Sequence, residues 1–152
     1  MALASNKKSG FWLWHSALAW RLQLSRNLEP LQLTAAQFFV LGSLNALQTT
    51  AAKPITHGTI SQHAGLDPMM TSRILQKLEQ AQLVQRSLHP HDKRKQLFEV
   101  TDAGHVLANK ATTIAMQTDE AFFKDSPVEL EAILQNLYPM KGLKHEESRK
   151  NR

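Results

Sequence analysis

The sequence predicts a mainly α-helical fold carrying one small β-hairpin, and three observations predict it. Apolar residues recur at helical spacing, ~100° per residue, along most of the chain, and several of these runs open on a Thr, Asp or Ser-Pro start signal. Alternation of character appears at Leu83 to Leu88 and at Gln96 to Val100, as in two strands facing each other across a loop. Between Ile55 and Glu79, two short helical runs are separated only by Gly65-Leu66-Asp67, the spacing of a helix-turn-helix.

Residues 1–10 are polar, with Lys7 and Lys8, and are expected to be flexible. The first helix is expected over about 11–28. It carries Phe11, Trp12, Leu13, Trp14, Leu18, Trp20, Leu22 and Leu24, which occupy more than one face, so one packing surface cannot hide them all. Burial inside a single globule is one solution. A subunit interface is preferred, because few other elements exist to cover these side chains. Glu29-Pro30 breaks the helix, since proline disfavours helical geometry in the residue before it. The next helix begins at Thr34, where Thr34-Ala35-Ala36-Gln37 fits a capping box and Leu33 is placed to staple against Phe38. It continues through Phe39, Val40, Leu41, Leu44 and Leu47. Gln48 to Pro54 is a polar connector, and Lys53 to Ile55 is a candidate short strand beside the hairpin.

Thr56 caps the first helix of the helix-turn-helix, Ile55 can staple to Ile60, and Gly65 ends it as a left-handed residue. Asp67 is an N-cap type and Pro68 falls at the first helical position, where its missing donor costs nothing. The second helix so defined separates Met70, Thr71, Ile74, Leu75, Leu78 and Ala81 from Met69, Ser72, Arg73, Gln76 and Gln80. The first set suits a core; the second offers groups able to hydrogen-bond base edges or touch a thymine methyl. Downstream, the loop His89-Pro90-His91-Asp92-Lys93-Arg94-Lys95 makes the hairpin a wing with a cationic tip. Thr101 then caps a long helix reaching about Phe123. Ser126-Pro127-Val128-Glu129 fits a second capping box, opening a final helix that stops near Tyr138-Pro139. Residues 139–152 are charged and aperiodic, which predicts a disordered tail.

The helix-turn-helix, the run Asp92-Lys93-Arg94 and the exit Val100-Thr101-Asp102-Ala103-Gly104 together resemble the winged helix of the MarR family of bacterial transcription regulators. The resemblance covers roughly residues 10–138. It implies one domain over 11–138, with the winged helix-turn-helix at about 53–100 and dimerisation helices at about 11–28 and 102–138. One departure is visible. The turn before the first wing strand, often Lys-Gly-Leu in the family, is Ala81-Gln82-Leu83 here, so either Gln82 takes a positive φ or the helix ends differently.

Composition restricts the alternatives. The chain of 152 residues has 18 Lys plus Arg against 13 Asp plus Glu, a net +5 that is compatible with a polyanionic partner but also common in ordinary proteins. It has no cysteine, which removes disulfides, thiolate metal sites and cysteine-based peroxide sensing. No apolar run approaches the ~20 residues of a membrane span, and the start lacks a leader's apolar core, so a cytoplasmic protein with no membrane partner is expected. Of the seven histidines, His57, His63, His89 and His91 invite a metal, but they lack the i, i+4 ligand spacing of helical zinc sites. Solvated histidines or neutral donors to phosphate are the preferred reading, with no metal and no cofactor. No nucleophile elbow, phosphate-cradling glycine loop or dinucleotide fingerprint is present, so no enzyme is expected.

The expected function is sequence-specific binding of double-stranded DNA. Pro68, Met69, Met70, Ser72, Arg73, Gln76 and Lys77 form the major-groove set and Asp92, Lys93, Arg94 and Lys95 the wing set. The resemblance implies that Arg94 reaches into the minor groove with Asp92 holding it. It also implies a homodimer on a near-palindromic operator, repression by occupancy as the default role, and release by a small aromatic effector. Trp14, His15, Trp20, Phe38 and Phe39 are the candidate effector-pocket residues, and they would serve equally as core. The rival reading is a protein-interaction module that keeps the fold and has lost DNA binding.

Overall fold

In the computed structural model, residues 8–50 and 54–138 are described. Most of residues 1–10, Lys53, and the segment 139–152 therefore lie outside the described residues. Helix α1 spans Ser9–Leu28 and a single 3-10 turn follows at Glu29–Leu31. After it come α2 (Ala35–Thr50), α3 (His57–Ala64), α4 (Pro68–Gln80), β1 (Val84–His89), β2 (Asp92–Val100), α5 (Asp102–Phe123) and α6 (Leu130–Leu137). The chain divides into a compact unit ending at Glu120 and a second beginning at Ala121. Helices joined to one antiparallel hairpin are what the sequence predicts.

Local chemistry sets the helix starts. At α2 the capping box is reciprocal: Thr34 N–H donates to Gln37 Oε1 at 2.8 Å, and Gln37 N–H donates to Thr34 Oγ1 at 3.2 Å. Thr56 Oγ1 accepts from Thr59 N–H, and Asp67 Oδ1 accepts from Met70 N–H at 3.0 Å, with Pro68 at the first helical position. Thr101 Oγ1 accepts from Gly104 N–H at 3.0 Å to open α5.

Three helical segments end in the same way. Gly65 has φ 66°, Gln32 has φ 56° and Gln82 has φ 59°. At each, two backbone bonds close a Schellman motif: Gly65 N–H to Gln62 O with Leu66 N–H to Ser61 O, Gln32 N–H to Glu29 O with Leu33 N–H to Leu28 O, and Gln82 N–H to Glu79 O with Leu83 N–H to Leu78 O. Gln82 therefore takes the positive φ that the missing glycine demands. A left-handed residue with a Cβ costs roughly 1–2 kcal/mol.

In the unit ending at Glu120 the core joins the ends of α1 and α2 to the winged helix. Leu24, Leu28, Val40, Leu41, Leu44 and Ile60 are completely buried, with Leu75, Leu78, Val84, Phe98 and Val100 close to it. Each large aliphatic removed from water contributes about 1.5–3 kcal/mol. Gly104 packs against the turn before β1 so closely that a Cβ would overlap the Leu83 carbonyl oxygen and Val100 Cγ1.

Several expectations need correction. Ser9 and Gly10 are already helical, so α1 starts earlier than Phe11. The helix α2 runs on to Thr50, its last turn carrying hydroxyl bonds from Thr49 to Asn45 O and from Thr50 to Ala46 O. Met70 and Ala81, placed on the core face of α4, are exposed, because the buried stripe is only as wide as Thr71, Ile74, Leu75 and Leu78. The expected strand before α3 is a single bridge, Thr56 with Leu97, supported by Phe98 N–H donating to Ile55 O at 3.0 Å. The second capping box does not form: α6 begins at Leu130 with no side-chain cap, since a turn closed by Leu130 N–H to Pro127 O precedes it. The wing is tighter than expected, with only Pro90 and His91 between its strands.

Candidate nucleic-acid interface

The helix α4 is fixed on one side and bare on the other. Thr71 is 0 % exposed and its Oγ1 donates to Asp67 O, while Ile74, Leu75 and Leu78 sink into the core. Opposite them Met69, Ser72, Arg73, Gln76 and Lys77 are exposed, as are Pro68 and Met70 at the first turn. The seven residues expected to face a major groove thus lie together along the outer side and leading turn of one rigid helix. Arg73 and Met69, one turn apart, touch: an Nη2 N–H of Arg73 donates to Met69 Sδ at 3.8 Å.

The turn leading into α4 is tied down by bonds that the sequence did not reveal. His57 Nε2 donates to Pro68 O at 2.7 Å, and Ser61 Oγ donates to Leu66 O at 2.8 Å. His63 Nδ1 pairs with Ser43 Oγ at 3.0 Å, holding α3 against α2. His57 and His63 are thus structural bonding partners, and no cluster of three metal-ligating side chains occurs among the described residues.

The wing cations sit in a backbone irregularity. Strand pairing runs in register from Val84 with Val100 to Leu88 with Gln96, then jumps so that His89 pairs with Asp92. Lys93, Arg94 and Lys95 are the residues the jump leaves over, and all three are exposed. A bulge of this kind re-aims side chains away from the regular ladder. Asp92 Oδ1 accepts from both the backbone N–H of Arg94 at 3.1 Å and its Nε at 3.2 Å. The Arg94 backbone bond, then its side-chain bond, hold the Asp92 carboxyl below the usual carboxylate value. At neutral pH the wing therefore presents an ionised Asp92 clasping an arginine whose side chain is 92 % exposed. At the turn, His91 N–H donates to His89 Nδ1 at 3.1 Å.

The wing base is fastened to α2 and α5. Val100 N–H donates to Gln48 Oε1 at 2.7 Å, Gln48 Nε2 lies 3.5 Å from His105 Nε2, and His105 Nδ1 bonds Asn45 Oδ1. Thr101 adds N–H to Leu83 O and Oγ1 to Gln82 O. Arg86 on β1 reaches Glu79 on α4 at 3.3 Å, a surface pair worth at most ~1 kcal/mol. Gln48, which the sequence leaves in a connector, is a fixed part of this frame.

The five aromatic-pocket candidates do not all meet. Trp20 and Phe39 stand 5.9 Å apart and Phe38 and Phe39 5.4 Å apart, centroid to centroid, and Trp20 Nε1 donates to Asp119 Oδ1 at 3.1 Å. Trp14 is 70 % exposed, and His15 lies against Phe11 at 4.3 Å. Two open clefts are lined by other residues: one of about 370 Å³ at Leu22, Arg26 and Leu33, and one of about 470 Å³ at Leu31, Leu83, Val106 and Leu107.

Comparison with known proteins bears on what such a surface does. Residues 33–95 match the family described as the MarR family. The chain is 29 % identical over 141 residues, 93 % of both chains, to the uncharacterized HTH-type transcriptional regulator YdcH of Bacillus subtilis. It is 27 % identical over 119 residues, 78 % of this chain and 82 % of the relative, to an HTH-type transcriptional repressor of Mycobacterium bovis. Among solved structures, a mutant MarR from E. coli complexed with operator DNA superposes with a TM-score of 0.73 at 25 % identity, covering 86 % of this chain and 91 % of that one.

Proposed function

We propose that the chain, whose residues 33–95 match the MarR family and which is similar over most of its length to HTH-type transcriptional regulators, is a winged-helix transcriptional regulator and not an enzyme, acting as a homodimeric repressor on double-stranded DNA. The observation that carries this reading is the division of α4 into a buried stripe and a bare face, beside a bulged wing that displays Arg94. On the bare face, Arg73 is suited to guanine O6 and N7, Gln76 and Ser72 to other base edges, and Met69 to a thymine methyl. Pro68, Met70 and Lys77 flank the backbone. Arg94 enters the minor groove, oriented by Asp92, while Lys93 and Lys95 meet phosphates. Operator DNA bound to a similar E. coli protein supports the same partner here.

The functional unit spans about residues 11–138, with the winged helix at about 53–100 and α1, α5 and α6 dimerising. Apolar side chains left in water support a dimer. Leu13 and Trp14 of α1 are 52 % and 70 % exposed, and Ile133, Leu134 and Leu137 of α6 are 52 %, 39 % and 42 % exposed. A two-fold dimer sets two α4 helices about one turn of DNA apart, roughly 34 Å, which selects a near-palindromic operator. Occupancy of a promoter then excludes polymerase, in keeping with the repressor named among the relatives.

A small aromatic anion is the proposed effector, with Trp14, His15, Trp20, Phe38 and Phe39 as its candidate contacts, of which Trp20, Phe38 and Phe39 lie side by side. To release DNA, such a ligand must bind one dimer geometry better than the other. The protein works in the cytoplasm, where its operator is; among the described residues no helix is long and apolar enough to cross a membrane. Fluorescence anisotropy with a random duplex, and with duplexes enriched from a randomised library, at two salt concentrations tests the DNA reading. Salt-dependent binding with enrichment of a two-fold sequence is expected. Absence of binding at low salt would favour the protein-interaction module instead.

A further inference from the structure

The chain has no cysteine, yet its candidate base-reading face carries an oxidisable sulfur against the residue assigned to guanine. Met69 is 67 % exposed and reachable by solutes without any unfolding. Its Sδ accepts from an Nη2 N–H of Arg73 at 3.8 Å, from one helical turn away. A thioether is a weak acceptor, so this interaction leaves the guanidinium free to move onto a base. Among the described residues Arg73 forms no ion pair; the two pairs present join Arg86 to Glu79 and Arg94 to Asp92. Asp67, at the start of the helix, is committed to capping Met70 N–H.

We propose that Met69 is a redox modification site, at which oxidation to the sulfoxide turns Arg73 away from DNA. The inference rests on α4 being the face that reads DNA. The oxidant is of the peroxide class. A sulfur lone pair attacks one oxygen of hydrogen peroxide, an S–O bond forms, the O–O bond breaks, and the departing hydroxide takes the proton from the transferred oxygen and leaves as water. Sulfur loses two electrons and the peroxide gains them. The new oxygen lies beside the guanidinium and is a strong acceptor, so a weak interaction becomes a charge-assisted bond internal to the helix. At the same time an apolar surface suited to a thymine methyl becomes polar. Sulfoxide reduction by the cell's reductases reverses both changes, which makes the site a switch in a chain that has no thiol to use.

The test treats the purified full chain with hydrogen peroxide, removes the peroxide with catalase, and maps sulfoxides by peptide mass spectrometry. Binding is then titrated with a duplex enriched from a randomised library by untreated wild-type protein. Wild type, Met69→Leu and Met70→Leu are each compared with their own untreated sample. Oxidised wild type and Met70→Leu should lose about tenfold or more in affinity, the value of one bidentate base pairing. The treated-to-untreated ratio of Met69→Leu should stay near one, and methionine sulfoxide reductase should restore the wild type. Complete conversion of Met69 without loss of affinity, an equal loss in Met69→Leu, or a loss that accompanies falling helicity by circular dichroism overturns the inference. Failure of the untreated wild type to enrich any duplex refutes the DNA reading itself and the inference with it; intact DNA binding with no response to oxidation refutes the inference alone.

Discussion

Replacing Gln82 with glycine should stabilise the fold, and the sign follows from the backbone alone. Gln82 sits at φ 59° in the Schellman closure of α4, at an exposed position. Holding a residue with a Cβ in that region costs about 1–2 kcal/mol. Glycine removes that cost but loses about 0.5–1 kcal/mol more backbone entropy on folding. The difference predicts a gain of roughly 0.5–1 kcal/mol, or a rise of about 1–4 °C in Tm for a chain of this size. The converse variant is Gly65→Ala, where φ is 66° and an added Cβ meets nothing within 4 Å. Its cost is therefore backbone strain without a clash, and it should destabilise by about 1 kcal/mol. Urea unfolding of both variants at one fixed protein concentration measures the pair, because the stability of the proposed dimer depends on concentration. A Gln82→Gly variant no more stable than wild type, together with a neutral Gly65→Ala, would refute the strain at these two positions.

Other consequences are equally specific. Arg94→Ala should weaken binding to an enriched duplex by about 1–3 kcal/mol if its side chain enters a groove, whereas Lys95→Ala should mainly lower the salt slope; unchanged affinity in folded Arg94→Ala would exclude the wing from the groove. Gln48→Leu deprives the part-buried Val100 N–H of its acceptor and should cost about 1–3 kcal/mol in denaturant unfolding, with faster amide exchange at Val100. Leu134→Arg combined with Leu137→Arg should shift sedimentation from dimer towards monomer, since each leucine covered in an interface contributes up to roughly 1.5–3 kcal/mol; an unaltered dimer would place the interface elsewhere.

What the sequence revealed was short-range. The cap and proline of Asp67-Pro68, the Thr34–Gln37 box and Gly65 each act within a few residues, so their pattern survives in one dimension. The strain at Gln82 was legible for the same reason, through the absence of a glycine. The bulge of Lys93, Arg94 and Lys95 was not, because it interrupts the very two-residue period by which strands are recognised. Gln48 serves a backbone group 52 residues away, which no local pattern records. Ser126 to Glu129 carry a capping-box spacing, but the chain turns there before α6 begins, and the pattern cannot tell a turn from a first helical turn. The aromatic set is spread around the fold for a reason that was present in the sequence. Trp14 and Trp20 are six residues apart on one helix, which at ~100° per residue separates them by roughly 120° around its axis.

Whether the outer face of α4 reads base sequence or only rests on the DNA backbone is decided by Arg73→Lys. Lysine keeps the charge and loses the planar fork that grips guanine O6 and N7 together. The measurement is competition between an enriched operator duplex and a scrambled one at fixed salt, for both proteins. Affinity for the scrambled duplex should change little, while preference for the operator should fall by about 1–3 kcal/mol for each half-site whose guanine is no longer gripped. An identical ratio of the two affinities in wild type and Arg73→Lys would contradict base reading by this residue and leave Arg73 bound to the DNA backbone.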